Sequence, residues 1–258
     1  MSETVIIQCD QGSFEWYQAR AGAITASMFS VAREKVGGLD QRQAQFVDLV
    51  RQGAERKEAA KMAGYKSAPS ADRIERAIAG EKVGEPSNAA LDYAFRLAVE
   101  RISGEPLDEG FQTWQMRRGN ELEPAARSLH ALLHGLTIER AGLVKTADGK
   151  FGASADGLIG KDGGSEYKCF VSPEKLRTIL MDGDISTVRD QVQGCLWLTG
   201  REWWHFALYC PALEPCGKEL IVHHVKRDNE YIAALEADLL EFDALVESYV
   251  ARLREGSA

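Results

Sequence analysis

The sequence predicts an α/β fold in which a mixed central β-sheet is flanked by helices, with a small all-helical insertion. Two short strand-like segments, 151–159 and 165–170, are joined by a Gly-rich turn, and two more follow at 203–210 and 219–225. Helix-type patterns lie around these strands, and the last is an amphipathic segment at 230–253. With 258 residues, 45% of them hydrophobic, the chain is long enough to bury a large core.

The N-terminal part begins with a short helix from Phe14 to Arg20 and a break at Gly22. A second helix is expected to begin at Thr25 or Ser27, which are both good N-cap residues. Free N–H groups at a helix start, hydroxyls and a nearby arginine together suit a phosphate group. Simple capping, with the arginine solvated, is the alternative interpretation.

Residues 37–82 differ in character from the rest and are predicted to form an inserted helical lobe. They read as three short helices at 43–50, 56–63 and 70–78, and residues 41–82 contain nine Lys and Arg against six Asp and Glu. The pattern F-V-x-L-x-x-x-G, followed by A-A-x-x-A-G-Y, resembles the helix-turn-helix of phage terminase small subunits. The lobe is therefore either a DNA-contacting module or a lobe used for packing or oligomer contacts.

Further helices are expected at 89–101, 111–133, 173–181 and 190–198. Pro124 is predicted to begin or bend the second of these, because proline disrupts a helix interior. Glu123 would then lie in a first helical turn. The strand at 219–225 is mostly apolar, which predicts a place inside the sheet, and the helix at 230–253 is predicted to cover the sheet or a neighbouring subunit.

Composition excludes several classes of protein. No apolar run approaches the roughly 20 residues that span a bilayer, and the N-terminus lacks the pattern of a signal peptide, so a cytoplasmic protein without membrane contacts is expected. The five cysteines are scattered without a C-x-x-C pair, which argues for reduced thiols and against structural zinc or an iron–sulfur cluster. His205, His223 and His224 alternate with apolar residues and are interpreted as structural. The net charge of −8 argues against non-specific coating of DNA but does not describe a local groove.

The most informative pattern is Asp156 followed by Glu166 and Lys168. Because side chains alternate across a strand, Glu166 and Lys168 share one face, while Tyr167 and Cys169 point the other way. Asp156 on the neighbouring strand is expected to meet Glu166 across the ladder. Two carboxylates at one spot suit a divalent cation, and oxygen ligands favour Mg²⁺ or Mn²⁺ over zinc. The alternative is a surface hairpin with an ordinary Glu–Lys pair.

Four motifs in order resemble the lambda exonuclease family, also called YqaJ-type viral recombinases. They are W-x-x-x-R-x-G-x-I-T-A-S (Trp16, Arg20, Gly22, Ile24, Thr25, Ala26, Ser27), G-x-x-x-E-x-x-A-R (Gly119, Glu123, Ala126, Arg127), S-x-D-G-L…E-x-K-C (Ser154, Asp156, Gly157, Leu158, Glu166, Lys168, Cys169) and Q-V-Q…W (Gln191, Val192, Gln193, Trp197). The match runs from residue 14 to about residue 230 and omits only the inserted stretch.

The resemblance implies a restriction-endonuclease-like nuclease core of the PD-(D/E)xK type, formed by residues 1–36 and 83–258. It implies that Asp156 and Glu166 are metal ligands and that Lys168 is the catalytic lysine. Glu123 is the further acid, acting directly or through water, although the choice between Glu121 and Glu123 depends on the alignment register. The resemblance also implies a set of residues that hold a terminal 5′ phosphate: Arg20, Ser27, Ser154 and Gln191.

The implied activity is that of a Mg²⁺-dependent deoxyribonuclease that degrades one strand of linear double-stranded DNA in the 5′ to 3′ direction. Family members typically form ring-shaped trimers and work with a single-strand annealing protein in phage recombination, which implies the cytoplasm of a bacterial host. Two alternatives remain open. One is a site-specific endonuclease on the same fold, and the other is a non-catalytic DNA-binding protein that uses the helical lobe.

Overall fold

The computed structural model describes residues 3–81, 83–107, 114–170 and 172–255. The predicted helix start at Phe111 and the predicted lobe end at Lys82 lie outside the described residues. The strands are β1 (Thr4–Ile7), β2 (Ile24–Thr25), β3 (Lys35–Val36), β4 (Glu85–Pro86), β5 (Ile138–Glu139), β6 (Leu143–Thr146), β7 (Phe151–Ser154), β8 (Gly157–Ile159), β9 (Gly163–Lys168), β10 (Trp203–Tyr209) and β11 (Leu220–Lys226). The α-helices are α1 (Phe14–Arg20), α2 (Phe29–Ala32), α3 (Gln41–Arg51), α4 (Arg56–Met62), α5 (Asp72–Ile78), α6 (Asn88–Ser103), α7 (Trp114–His134), α8 (Pro173–Asp182), α9 (Ser186–Thr199) and α10 (Asn229–Glu255).

The chain divides into two compact units. The larger unit consists of Met1–Ala32 and Tyr93–Ala258, and the smaller unit consists of Arg33–Asp92. The smaller unit thus begins earlier and ends later than the lobe expected from the sequence at 37–82.

The main sheet of the larger unit has the strand order β11-β10-β9-β8-β5. Strands β9 and β10 run parallel, and the other neighbouring pairs are antiparallel. The mixed sheet flanked by helices that the sequence predicts is therefore confirmed.

A second sheet has the order β1-β6-β7-β2. The single strand predicted at 151–159 is wrong, because β7 belongs to this second sheet while β8 belongs to the main sheet. The chain leaves one sheet and joins the other through Ala155 and Asp156. Gly157 permits the close approach that follows, since a Cβ atom there would lie 2.6 Å from the Ser165 hydroxyl oxygen.

Helices cover both faces of the main sheet. Helix α7 packs against β9, β10 and β11, where Ala126 contacts Tyr167 and Ala207. Helix α9 packs against β10 and against β6 and β7 of the second sheet. Because Glu166 faces α9 and its neighbour Tyr167 faces α7, the two helices lie on opposite sides of β9.

Three expectations about the helices and the sheet edge need correction. Helix α7 runs through Pro124 without beginning there, so Glu123 lies in its interior. The packing of Ala126 and His130, both fully buried, holds the helix together beyond the proline. Strand β11 is an edge strand of the main sheet, and its residues are at most half-buried.

Helix α10 buries its predicted apolar stripe, including Leu235, Leu239 and Val246, although Leu253 at its end is exposed. It packs on α9 and α2. Among the residues that the structure describes, no helix is long and apolar enough to cross a membrane.

The smaller unit contains α3, α4 and α5 around a core of its own, with Phe46 and Ile74 fully buried. Arg42 stabilises the turn after α4. Its guanidinium lies 4.3 Å from the centre of the Tyr65 ring and donates hydrogen bonds to the carbonyl oxygens of Ala63 and Gly64. The interpretation of this unit as a DNA-contacting helix-turn-helix stays a prediction.

Candidate active site

The first feature of the site is the junction between β7 and β8. The antiparallel register pairs Gly157 with Ser165, so the preceding Asp156 lies beside Glu166 at the end of the ladder. Asp156 is 7% exposed, and its Oδ2 accepts a hydrogen bond of 2.8 Å from the Tyr167 backbone N–H. Asp156 thus meets β9 from a bend between two sheets and not from a strand.

Glu166 and Lys168 lie on the same face of β9, as their spacing requires. Lys168 Nζ lies 2.7 Å from Glu166 Oε1, and Gln191 Nε2 on α9 donates to the same oxygen at 2.5 Å. The other carboxylate oxygen, Glu166 Oε2, is buried and has no hydrogen-bond partner among the described residues. One oxygen of Glu166 is thus fixed and the other is left free.

Glu123 reaches the same place from α7. It pairs with Arg127 one turn later, and Arg127 Nε also donates to the carbonyl oxygen of Asp156 at 3.1 Å. Arg127 therefore ties the Glu123 carboxylate to the Asp156 bend. Glu121 is exposed and is absent from the described residues that line the cavity, so the geometry favours Glu123 as the upstream acid.

The three carboxylates and the lysine influence one another. Burial, followed by the negative charges of Glu166 and Glu123, raises the pKa of Asp156 well above its usual value. Burial also raises the pKa of Glu123, and Arg127 opposes that effect. Burial acts to lower the pKa of Lys168, but the charges of Glu166 and Asp156 outweigh it and the pKa is raised. Lys168 is therefore protonated, while the carboxylates repel one another.

These residues fit a hard divalent cation. In the part of the chain that the structure describes, no three His, Cys, Asp or Glu side chains form a complete ligand set. Mg²⁺ does not need such a set, because it keeps several waters and binds one or two carboxylates. Such an ion would provide a ligand contact for the free Oε2 of Glu166. It would also reduce the repulsion between Asp156 and the neighbouring carboxylates.

A second group of predicted residues surrounds Arg20 at the end of α1. The Arg20 guanidinium donates to Thr25 Oγ1 at 3.1 Å and to Ser27 Oγ at 3.5 Å. It lies 4.0 Å from the centre of the Trp16 ring, and Trp16 Nε1 donates to Ser154 Oγ at 2.8 Å. Trp16 therefore connects Arg20 with Ser154.

The resemblance groups Gln191 with Arg20, Ser27 and Ser154, and in the structure the Gln191 amide contacts Glu166. All eight predicted site residues nevertheless line one cavity of about 910 Å³ in the larger unit. Two further arginines line it, Arg96 from α6 and Arg140 beside β5. No local pattern marks these two, because an isolated arginine on an amphipathic helix or a turn reads as a solvated side chain.

On the reverse face of β9, a chain of hydrogen bonds runs through Tyr167, His130 and His205. His130 Nδ1 lies 2.9 Å from the Tyr167 hydroxyl, and His130 Nε2 lies 3.0 Å from His205 Nδ1. Burial and the neighbouring histidines lower the pKa of both His130 and His205 to about 4. His205 thus has a structural partner, as its strand pattern suggested.

Comparison with known proteins identifies a family and a fold. The model of the YqaJ-like viral recombinase domain matches residues 15–202. An alkaline exonuclease from Laribacter hongkongensis, LHK-Exo, is similar to this chain with a TM-score of 0.66 and 24% identity, over 94% of this chain and 97% of that one. The structure of LHK-Exo in complex with dAMP gives a TM-score of 0.67 at the same identity and coverage.

A phage-related exonuclease from Haemophilus somnus is similar with a TM-score of 0.51 and 15% identity, over 87% of this chain and 98% of that chain. No curated protein sequence gave a significant match. These structures share the fold of this chain.

Proposed function

Because the chain belongs to the family of YqaJ-like viral recombinase domains, we propose that it is a metal-dependent exonuclease. It degrades one strand of linear double-stranded DNA in the 5′ to 3′ direction during phage-type recombination. The observation that carries this proposal is the single cavity that contains Asp156, Glu166 and Lys168 together with the hydroxyl-bound Arg20.

Asp156 and Glu166 would hold Mg²⁺ or Mn²⁺, and Glu123 would contribute directly or through water. A divalent ion in such a site lowers the pKa of a bound water and stabilises negative charge on the phosphate oxygens. Gln191 fixes Glu166 Oε1, which would leave Oε2 available to hold such an ion. Arg127 contacts both the Glu123 carboxylate and the Asp156 carbonyl oxygen, and so fixes their positions relative to each other.

Lys168 acts as a cation in this proposal. Its raised pKa keeps the ammonium protonated at neutral pH, so it is suited to offset charge that develops on the scissile phosphate and to orient the attacking water.

Arg20, Ser27 and Ser154 would hold the terminal 5′ phosphate, which each cleavage renews. Hydroxyls and a guanidinium are ordinary phosphate ligands, and here Trp16 keeps two of the three together. The dAMP that LHK-Exo binds is a nucleoside 5′-monophosphate, the class of product expected here. The proposal also includes a ring-shaped homotrimer, a phage single-strand annealing protein as partner, and the cytoplasm of a bacterial host, all carried over from the family.

Linear and covalently closed duplexes of the same sequence test this function when they are incubated with the protein and Mg²⁺. We expect mononucleotides from the linear duplex only, because an exonuclease needs an end. A label at the 5′ terminus should be released first, while a label at the 3′ terminus should remain on progressively shorter strands. Cuts at fixed positions in the closed circle would instead indicate a site-specific endonuclease. Binding without cleavage in both Mg²⁺ and Mn²⁺ would indicate a non-catalytic DNA-binding protein.

A further inference from the structure

Helix α6 brings a second guanidinium, that of Arg96, to the wall of the cavity beside Arg20. Two hydrogen bonds connect this helix with the turn after α1. The Tyr93 hydroxyl accepts the backbone N–H of Thr25 at 3.2 Å, and Glu100 Oε2 accepts the backbone N–H of Gly22 at 2.8 Å. Residues 93, 96 and 100 lie on one helix face. Arg96 therefore lies between the two residues that form these hydrogen bonds and faces the same turn.

Arg96 is held in place without being fully neutralised. Its guanidinium lies 5.0 Å from the centre of the Tyr93 ring, and its Nε lies 3.5 Å from Glu100 Oε1. That Nε is buried without a hydrogen bond, because Glu100 is occupied by the backbone N–H groups of Gly22 and Leu107. The Arg96 side chain is 38% exposed, which leaves its terminal nitrogens open to the cavity.

The two guanidiniums bring two positive charges to one part of the cavity, where Glu100 is the nearby acid paired with Arg96. Within the described residues, Arg20 donates to hydroxyl groups and has no carboxylate partner. Burial lowers the pKa of Arg20, and the positive charge of Arg96 lowers it further, whereas nearby Tyr93 opposes this. Two positive charges that line one cavity together with hydroxyl groups suit the binding of an anion there.

We propose that Arg96 is a second cation of the terminal phosphate site and determines the preference for 5′-phosphorylated ends. This inference rests on the proposed exonuclease function. A terminal phosphate monoester carries a charge of about −1.5 to −2 near neutral pH, with a second pKa of about 6. A phosphodiester inside the strand carries only one charge. Two guanidiniums therefore match the monoester at a strand end better than an internal phosphate.

The test measures binding in EDTA, so that it does not depend on cleavage. A hairpin duplex with one open end, bearing either a 5′ phosphate or a 5′ hydroxyl, is titrated with the full-length protein by fluorescence anisotropy. Charge-assisted hydrogen bonds contribute about 1.5 to 3 kcal/mol, or about 10-fold to 100-fold in affinity. We expect Arg96→Gln and Arg20→Ala each to lower the phosphate-to-hydroxyl affinity ratio by about tenfold or more. Arg96→Lys should retain part of the preference.

Arg189 provides a matched control. It also stacks on a tyrosine, 4.1 Å from the centre of the Tyr231 ring, and pairs with Asp228 at 2.9 Å, but it does not line the cavity. Arg189→Gln should leave the ratio unchanged. The pH dependence of the phosphate-to-hydroxyl affinity ratio separates phosphate binding from a structural role. For the wild-type protein, this ratio should rise between about pH 5 and pH 7.5, because the phosphate gains its second charge. Arg96→Gln should flatten this rise.

Two failures are distinguishable. If Arg20→Ala lowers the ratio but Arg96→Gln behaves like Arg189→Gln, the role of Arg96 is refuted and the exonuclease function stands. If the wild-type protein binds both ends equally and releases no mononucleotides in Mg²⁺, the proposed function itself is refuted.

Discussion

At the scale of single residues, Asp156 shows most clearly that the site is suited to a metal ion. It is almost completely buried, yet Glu166 and Glu123 place two further negative charges beside it and raise its pKa. Without a cation, the folded protein must hold a carboxylate where an ionised group is unfavourable. A residue that only stabilised the fold would not need its charge in this position.

Replacement of this charge gives a residue-scale prediction. Asp156→Asn should raise the melting temperature of the metal-free protein at neutral pH, because asparagine is neutral and its side-chain oxygen can still accept the Tyr167 N–H. Mg²⁺ should raise the melting temperature of the wild-type protein but not that of the variant. Mononucleotide release should fall by more than about 100-fold, since even indirect partners of a metal contribute up to that amount.

Differential scanning fluorimetry with and without Mg²⁺ measures the first two effects. Asp182→Asn is the control, because Asp182 pairs with Arg177 on the exposed side of α8, outside the cavity. A variant at Asp156 that is less stable than the wild type, or that responds to Mg²⁺ equally, would contradict a metal site at this residue.

Sequence reasoning reached these residues because strand alternation is a local property. The two-residue spacing of Glu166 and Lys168 placed them correctly on one face of β9. The contact of Gln191 with Glu166 and the approach of Arg96 to Arg20 depend instead on how α9 and α6 dock. No local pattern in the sequence encodes that docking.

At the scale of elements, the hydrogen-bonded chain of Tyr167, His130 and His205 joins α7 to β9 and β10. Helix α7 carries Glu123 and Arg127, while β9 carries Glu166 and Lys168. The chain therefore helps to fix the distance between the two halves of the candidate metal site. It requires both histidines to be neutral, since a proton on each would place two positive charges side by side.

This requirement predicts instability in acid. The pKa of His130 is about 4 in the folded protein against an ordinary value of 6.5, so the unfolded chain binds a proton more readily than the folded protein. The free energy of unfolding is therefore fully retained above about pH 6.5 and decreases as the pH falls toward about 4, by up to about 3 kcal/mol for this residue.

Urea unfolding at a series of pH values measures this dependence. His130→Gln should reduce the slope by about one proton. An equal slope in His130→Gln and the wild-type protein would show that His130 is not buried in its neutral form.

Most helices and strands were predictable from the sequence, because their periodicity is strong. The elements that were predicted wrongly depend on contacts between distant parts of the chain. The predicted strand at 151–159 is divided at Asp156 because its two halves join different sheets. Pro124 neither begins nor ends α7, because burial of Ala126 and His130 outweighs one lost backbone hydrogen bond. Strand β11 is apolar in sequence but lies at a sheet edge.

At the scale of the whole molecule, the acidic character and the proposed substrate are compatible. The net charge of −8 belongs to the entire chain, whereas the cavity of the larger unit contains Arg20, Arg96, Arg127 and Arg140. In the proposed function, these local arginines, and not the total charge, would determine how this site interacts with DNA. The smaller unit has a separate core, and its contact with DNA remains a prediction.

The most direct measurement compares the wild-type protein with Lys168→Ala on a linear, 5′-phosphorylated duplex in Mg²⁺, recording both mononucleotide release and DNA binding. Lys218→Ala, which changes an exposed lysine outside the cavity, is the control. We predict that Lys168→Ala lowers release by at least about 100-fold and leaves binding measurable, because it removes charge stabilisation at the scissile phosphate. Release at the wild-type rate by Lys168→Ala would contradict the assignment of this cavity as the active site.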